Sequence, residues 1–146
     1  NELGARAVFS YGASLVNSGM GSFAPRGSVL PCDAKAPPPL LLLGGSEDGV
    51  SAALSDMEDA TETLRRTLSE AVAPGAGTAE LCILSGANHM AFCSPVDPCC
   101  AAARTDRPLQ LPAGTDDEAL RALLSVLIVD FLHAHGVAKA PVPDVE

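Results

Sequence analysis

Hydrophobic and polar positions along the chain fall into two kinds of pattern, short apolar runs and longer segments repeating every three to four residues. "ARAVFSY" (5–11) is a short β-type run that stops at Gly12. Residues 12–39 follow, rich in Gly, Ser and Pro, and read as an irregular connection, with room for a helical turn near Ala13 to Asn17. "PLLLLGG" (39–45) is a continuous aliphatic run. A strand apolar on both faces belongs inside a parallel sheet covered on both sides. "AELCIL" (79–84) is a third strand, and "SGANH" takes the chain out of the sheet.

Between the second and third strands, residues 50–72 predict one amphipathic helix. Val50, Ala53, Leu54, Met57, Ala60, Leu64, Leu68 and Val72 form its apolar stripe. Asp56, Glu58, Asp59, Glu62, Arg65, Arg66 and Glu70 fill the rest of the circumference as a solvated face. "PGAG" (74–77) ends it. A polar, proline-rich stretch then leads to a last helix, for which Thr115 and Glu118 have the spacing of a capping box. Asp116 and Asp117 suit the positive end of its dipole. Leu120, Leu123, Leu124, Leu127, Ile128, Phe131 and Leu132 predict its buried face, and Gly136 its end. His133 and His135 sit in the last turn, two residues apart, and read as surface side chains. Strand, loop, strand, helix, strand, helix predicts a single α/β domain over 1–146, with a partial parallel sheet of about three strands flanked by helices and right-handed crossovers.

Composition narrows the function. An apolar fraction of 47% with 3% aromatics describes an aliphatic core in a chain of 146 residues, long enough to fold as one domain. A net charge of −9 with only nine Lys and Arg argues against nucleic acid as a partner. The longest largely apolar stretch, Ala122 to Val129, falls far short of the roughly 18 residues that a membrane span needs. No signal-peptide pattern opens the chain, and nothing marks a compartment. The first residue is Asn1, not Met, consistent with processing or excision from a longer chain. Cys32, Cys82, Cys93, Cys99 and Cys100 have no zinc-site spacing, and their odd number leaves one thiol outside any full disulfide scheme. They read as buried or incidental thiols, with Cys82 in the core; no metal or cofactor is implied.

Ligands of parallel sheets gather at the carboxyl ends of the strands. After "LLLL" comes "GGSEDGV", with Glu47 and Asp48; after "LCIL" comes "SGANH", with His89. Adjacent parallel strands bring these loops side by side. A carboxylate bonded to one imidazole nitrogen fixes the tautomer, and the other nitrogen is then able to take a proton from a nucleophile. Taken singly, a loop histidine and a turn aspartate more often serve the turn.

In order and spacing the two loops resemble the C-terminal part of the α/β-hydrolase fold, in particular its esterase and dienelactone-hydrolase-like branches. Gly45-Ser46-Glu47-Asp48 matches the family's G-x-x-D pattern after the seventh strand, and Gly86-Ala87-Asn88-His89 its G-x-x-H turn after the eighth. The resemblance covers roughly residues 5–136 and implies an ester hydrolase in which Asp48 and His89 are two members of a Ser-Asp-His triad. Glu47 is the rival acid; the pattern favours Asp48.

The family's G-x-S-x-G nucleophile elbow has no counterpart here. Ser10 in "VFSYG" and Ser14 in "GASLV" are at best degenerate versions of it. By the same alignment residues 5–11 are the sixth strand, so the nucleophile and oxyanion hole lie outside this chain. Such a piece is expected to be inactive alone, to act on a small ester once an N-terminal half completes it, and to leave a strand edge open to self-association. The other reading is a non-enzymatic pseudo-hydrolase or interaction module that keeps the fold without a nucleophile.

Overall fold

The leucines at 40–43 form the middle of a sheet, where a side chain on either face has something to bury against. In the computed structural model, which describes residues 5–12, 38–55, 59–72, 78–95 and 106–137, three parallel strands lie in the order β1 (Val8–Tyr11), β2 (Leu40–Gly45), β3 (Ala79–Leu84). Leu41, Leu42 and Leu43 are at most 3% exposed. Each buried leucine of this kind contributes roughly 1.5–3 kcal/mol. The expected α/β arrangement of a small parallel sheet with helices is therefore present. The helical turn expected near Ala13 to Asn17 lies outside the described residues, as do Ser14, Met57, Cys32, Cys99 and Cys100.

Side-chain alternation sorts the helices onto the two faces. Leu41 and Leu43 cluster with Leu84, Leu120, Leu124 and Phe131, the last three from α3 (Asp117–Ala134). On the opposite face, a Cβ at Gly44 would overlap Leu64 of α2 (Glu62–Arg66). Glycine at 44 thus lets α2 lie directly on the middle strand.

The single helix expected over 50–72 is instead broken. α1 (Gly49–Ser55) comes first, then α2, which runs on as a π-helical turn over Thr67–Val72. The local cause is side-chain competition for backbone groups. Asp59 accepts the Thr61 amide at 2.8 Å and the Thr61 hydroxyl at 2.7 Å, a turn that starts a new helix. Those same bonds hold the Asp59 carboxyl below its ordinary pKa. Where the helix widens, the Thr67 hydroxyl donates back to the Thr63 carbonyl at 2.8 Å. The covered residues differ from the expected stripe too: in α1 Ala52 is buried and Ala53 exposed, and in α2 Arg66, expected on the solvated face, is buried with Thr61, Thr63 and Thr67.

α3 follows its expected span with three corrections, at its cap, at Leu123 and at His135, which the sequence presents as a surface side chain. Its N-cap is Asp116, not Thr115: Asp116 is extended (φ −113°, ψ 178°) and its Oδ1 accepts the Ala119 amide at 2.8 Å. Thr115 instead turns back, its amide donating to the Pro112 carbonyl at 3.0 Å. Leu123 is 47% exposed, beside exposed Val126 and Val129, because the three described strands cover only a narrow stripe of the helix. His133 is on the surface as expected. His135 is half-buried and stands edge-on to the Phe131 ring at 4.6 Å. Cys82 is half-buried against the α3 cluster, its thiol pKa raised by that burial, and Cys93 is exposed. Among the described residues no helix is long and apolar enough to cross a membrane.

The cap assignment has a direct test. Asp116→Ala should lower the unfolding free energy by about 1 kcal/mol, whereas Thr115→Ala should change it by no more than a few tenths, measured by urea denaturation. Equal losses in the two variants would restore Thr115 as the cap.

Candidate active site

The ends of β2 and β3 are in register, Gly45 opposite Leu84, so their following loops leave the sheet together. The Ser46 amide donates to the Leu84 carbonyl at 3.0 Å and the Glu47 amide to the Ala87 carbonyl at 2.9 Å. Ser46 Oγ accepts the Gly86 amide at 2.9 Å. These bonds leave the residue after Glu47 at the start of α1, where an aspartate is a good N-cap. Asp48 takes that role: its Oδ1 accepts the Ser51 amide at 2.8 Å.

The same carboxylate meets His89. His89 Nδ1 lies 3.1 Å from Asp48 Oδ1 and 3.0 Å from Oδ2. A carboxylate only accepts, so Nδ1 carries the proton and Nε2 of the neutral ring is left with its lone pair. Ser51 Oγ donates to Asp48 Oδ2 at 2.8 Å. Asp48 is thus 1% exposed but held by an amide, a hydroxyl and an imidazole. The His89 side chain is 27% exposed, whereas the carboxylate it bonds is buried.

Glu47 points elsewhere. Its Oε2 accepts Gln110 Nε2 at 3.1 Å, which leaves Asp48 as the carboxylate paired with the imidazole. Ser10 pairs with Leu42 and so lies on the opposite face of the sheet from Tyr11. Among the described residues the ring's hydrogen-bonding partner is Asp48. Ser10 is not brought to it. Ser14, the other serine considered, lies outside the described residues. Also among the described residues, no group of three or more His, Cys, Asp or Glu is placed to hold a metal ion.

Residues that the sequence did not single out complete the surroundings. Tyr11 donates its hydroxyl to the Asn88 carbonyl at 2.7 Å and stacks on Phe92 with ring centroids 5.8 Å apart. Burial, then the charges of Asp48, Asp106 and Cys93, push the phenol's pKa well up, which keeps it a neutral donor. Gly12 packs against the pair. At φ +62°, a Cβ there would stand 2.9 Å from His89 Nδ1 and 3.1 Å from Asp48 Oδ2. Glycine lets the end of β1 close over the hydrogen bond from the side. The spacing Asp48-x-x-Ser51, a cap and its third helical residue, is the one local sequence signal for any of these neighbours.

No family model, curated protein or solved structure matches the chain.

The hydrogen bond to Asp48 raises the His89 pKa above its ordinary 6.5; burial opposes this, and the charges of Asp48 and Asp106 add to it. A raised folded-state pKa means stabilisation that is fully present below the unfolded value and is lost as pH rises through the folded one. In an NMR titration His89 should therefore titrate above 6.5. In Asp48→Asn the midpoint should fall below the wild-type value, since burial of the ring remains while the charge is gone. An unchanged midpoint would mean that the pair is not formed. Gly12→Ala should cost roughly 1–2 kcal/mol from its left-handed backbone alone, and should also lower the His89 midpoint by pushing the ring from Asp48. Stability and titration both matching wild type would show that β1 does not close on the pair.

Proposed function

We propose that this chain supplies the acid and the histidine of an ester hydrolase of the α/β-hydrolase type, as its C-terminal portion. The observation that carries the reading is the Asp48–His89 hydrogen bond, 3.0 Å long, between two loops at the carboxyl ends of neighbouring parallel strands. Asp48 orients the ring and stabilises the imidazolium. His89 Nε2 takes the proton of a serine nucleophile as it attacks the ester carbonyl, and returns it to the leaving alcohol. Deacylation repeats the sequence with water in place of the serine.

Further support comes from the outer strand. Val8 and Phe9 of β1 are 38% and 43% exposed, and β1 pairs with β2 alone among the described strands. Val8 and Phe9 belong to opposite faces of β1, so both faces, and the edge that no described strand pairs with, suit a further strand with its own covering helices. In this reading that neighbour carries the serine and the oxyanion-hole amides. The substrate is a small ester; the chemistry at His89 sets the bond broken.

The test is kinetic. The polypeptide encoded upstream of and through residues 1–146 should hydrolyse a p-nitrophenyl ester. His89→Ala and Asp48→Asn should each lower kcat by roughly 10³–10⁴-fold. Residues 1–146 alone should show no hydrolysis above background. Activity insensitive to both substitutions would overturn the assignment. So would activity of the 146-residue chain that Ser10→Ala abolishes. An upstream reading frame with no nucleophile elbow and no hydrolysis would favour the non-enzymatic module instead.

A further inference from the structure

Residues 106–111, part of what the sequence presents as a polar connection to the last helix, run as irregular backbone across the ends of β2 and β3. The Gln110 amide donates to the Gly86 carbonyl at 2.8 Å, and Asn88 Nδ2 donates to the Arg107 carbonyl at 2.8 Å. Gln110 Nε2 reaches Glu47. The approach is close enough that a Cβ at Gly86 (φ +76°) would overlap the Gln110 carbonyl and stand 2.8 Å from the Leu111 amide nitrogen. This strap touches both loops that carry the Asp48–His89 pair.

Its decisive atom is Asp106 Oδ1. That oxygen accepts the Arg107 amide at 3.0 Å, the His89 amide at 3.2 Å and the Gly49 amide at 3.3 Å. Gly49 follows the acid directly and opens α1, where amides lack partners within the helix. His89 is the imidazole's own backbone. Asp48 and His89 are 41 residues apart, and the bonds from Ser46 and Glu47 join their loops only as far as Ala87, short of His89 itself. We propose that Asp106 is a positioning residue, fastening the backbone of both loops to one oxygen and so fixing the distance across which Asp48 and His89 bond. The inference rests on reading those two residues as a proton-transferring pair.

The groups that face His89 come from each element around it. Asp48 and Asp106 carry negative charge toward the ring, and Tyr11 from β1 holds the neighbouring Asn88 carbonyl as a neutral phenol. Asp106 therefore acts in two ways that substitution separates. Its oxygen gathers amides, a role the amide oxygen of asparagine retains; its charge favours the imidazolium, a role asparagine loses.

The experiment uses the 146-residue chain without substrate. Proton NMR follows the far-downfield Nδ1–H signal of a histidine bonded to a carboxylate, the His89 titration midpoint, and amide exchange at Gly49 and His89. Asp106→Ala should lose the downfield signal to solvent exchange, lower the midpoint, and speed exchange at both amides by roughly tenfold. Asp106→Asn should recover the signal and most of the amide protection while its midpoint stays below wild type. A folded Asp106→Ala variant with all three readouts unchanged would overturn the proposal. If the alanine variant does not fold, Asp106→Asn decides: a wild-type midpoint with wild-type exchange at both amides overturns it equally. Asp48→Asn separates the two readings. If that variant keeps the downfield signal and the midpoint, the pair itself fails, whatever Asp106 does.

Discussion

A carboxylate almost wholly removed from water has to be satisfied on every side, and the arrangement around Asp48 follows from that demand. Leaving a buried charge without partners costs several kcal/mol, more than one local contact returns. The Ser51 amide and hydroxyl answer from one side and the His89 ring from the other. One side chain thus starts α1 and binds the loop after β3. The start of a helix and the orientation of an imidazole become a single event, because the same two oxygens serve both.

That coupling works only if several backbones come unusually close. The end of β1 reaches the pair because residue 12 has no side chain, and the strap over residues 106–111 reaches the β3 loop because residue 86 has none. On the reverse face, Gly44 admits Leu64 of α2. Small residues at the sheet's upper edge therefore set the spacing of four separate segments. The leucines of β2 supply the burial that holds the sheet, and the glycines determine how near its loops approach one another.

Much of this was legible in the chain. Short and continuous apolar runs located the three described strands, since burial of a strand depends on its own residues and leaves a local period. The last helix was found for the same reason. The broken helix over 50–72 was hidden because its stripe is consistent from end to end. What interrupts it is Asp59 bonding to Thr61 and Thr67 bonding back to Thr63, a competition between side chain and backbone that hydrophobic periodicity does not register. The shift of the cap from Thr115 to Asp116 has a similar origin. Both residues are able to cap, and the turn after Pro112 engages the Thr115 amide, so the helix begins one residue later.

By itself the sequence determined the strands, the closing helix, and the two loops with Asp48 and His89 in an order that makes them neighbours. It did so because those features depend on residues close together in the chain. Tertiary structure joined Asp48, the acid the G-x-x-D pattern already favoured over Glu47, to the imidazole, and it decided that Ser51 completes its shell, that Gly12 closes over it, and that Asp106 ties the loops. Each of these, apart from Ser51, joins segments tens of residues apart. The energy of such a bond is set by distance and burial in the folded chain, and no local pattern records it.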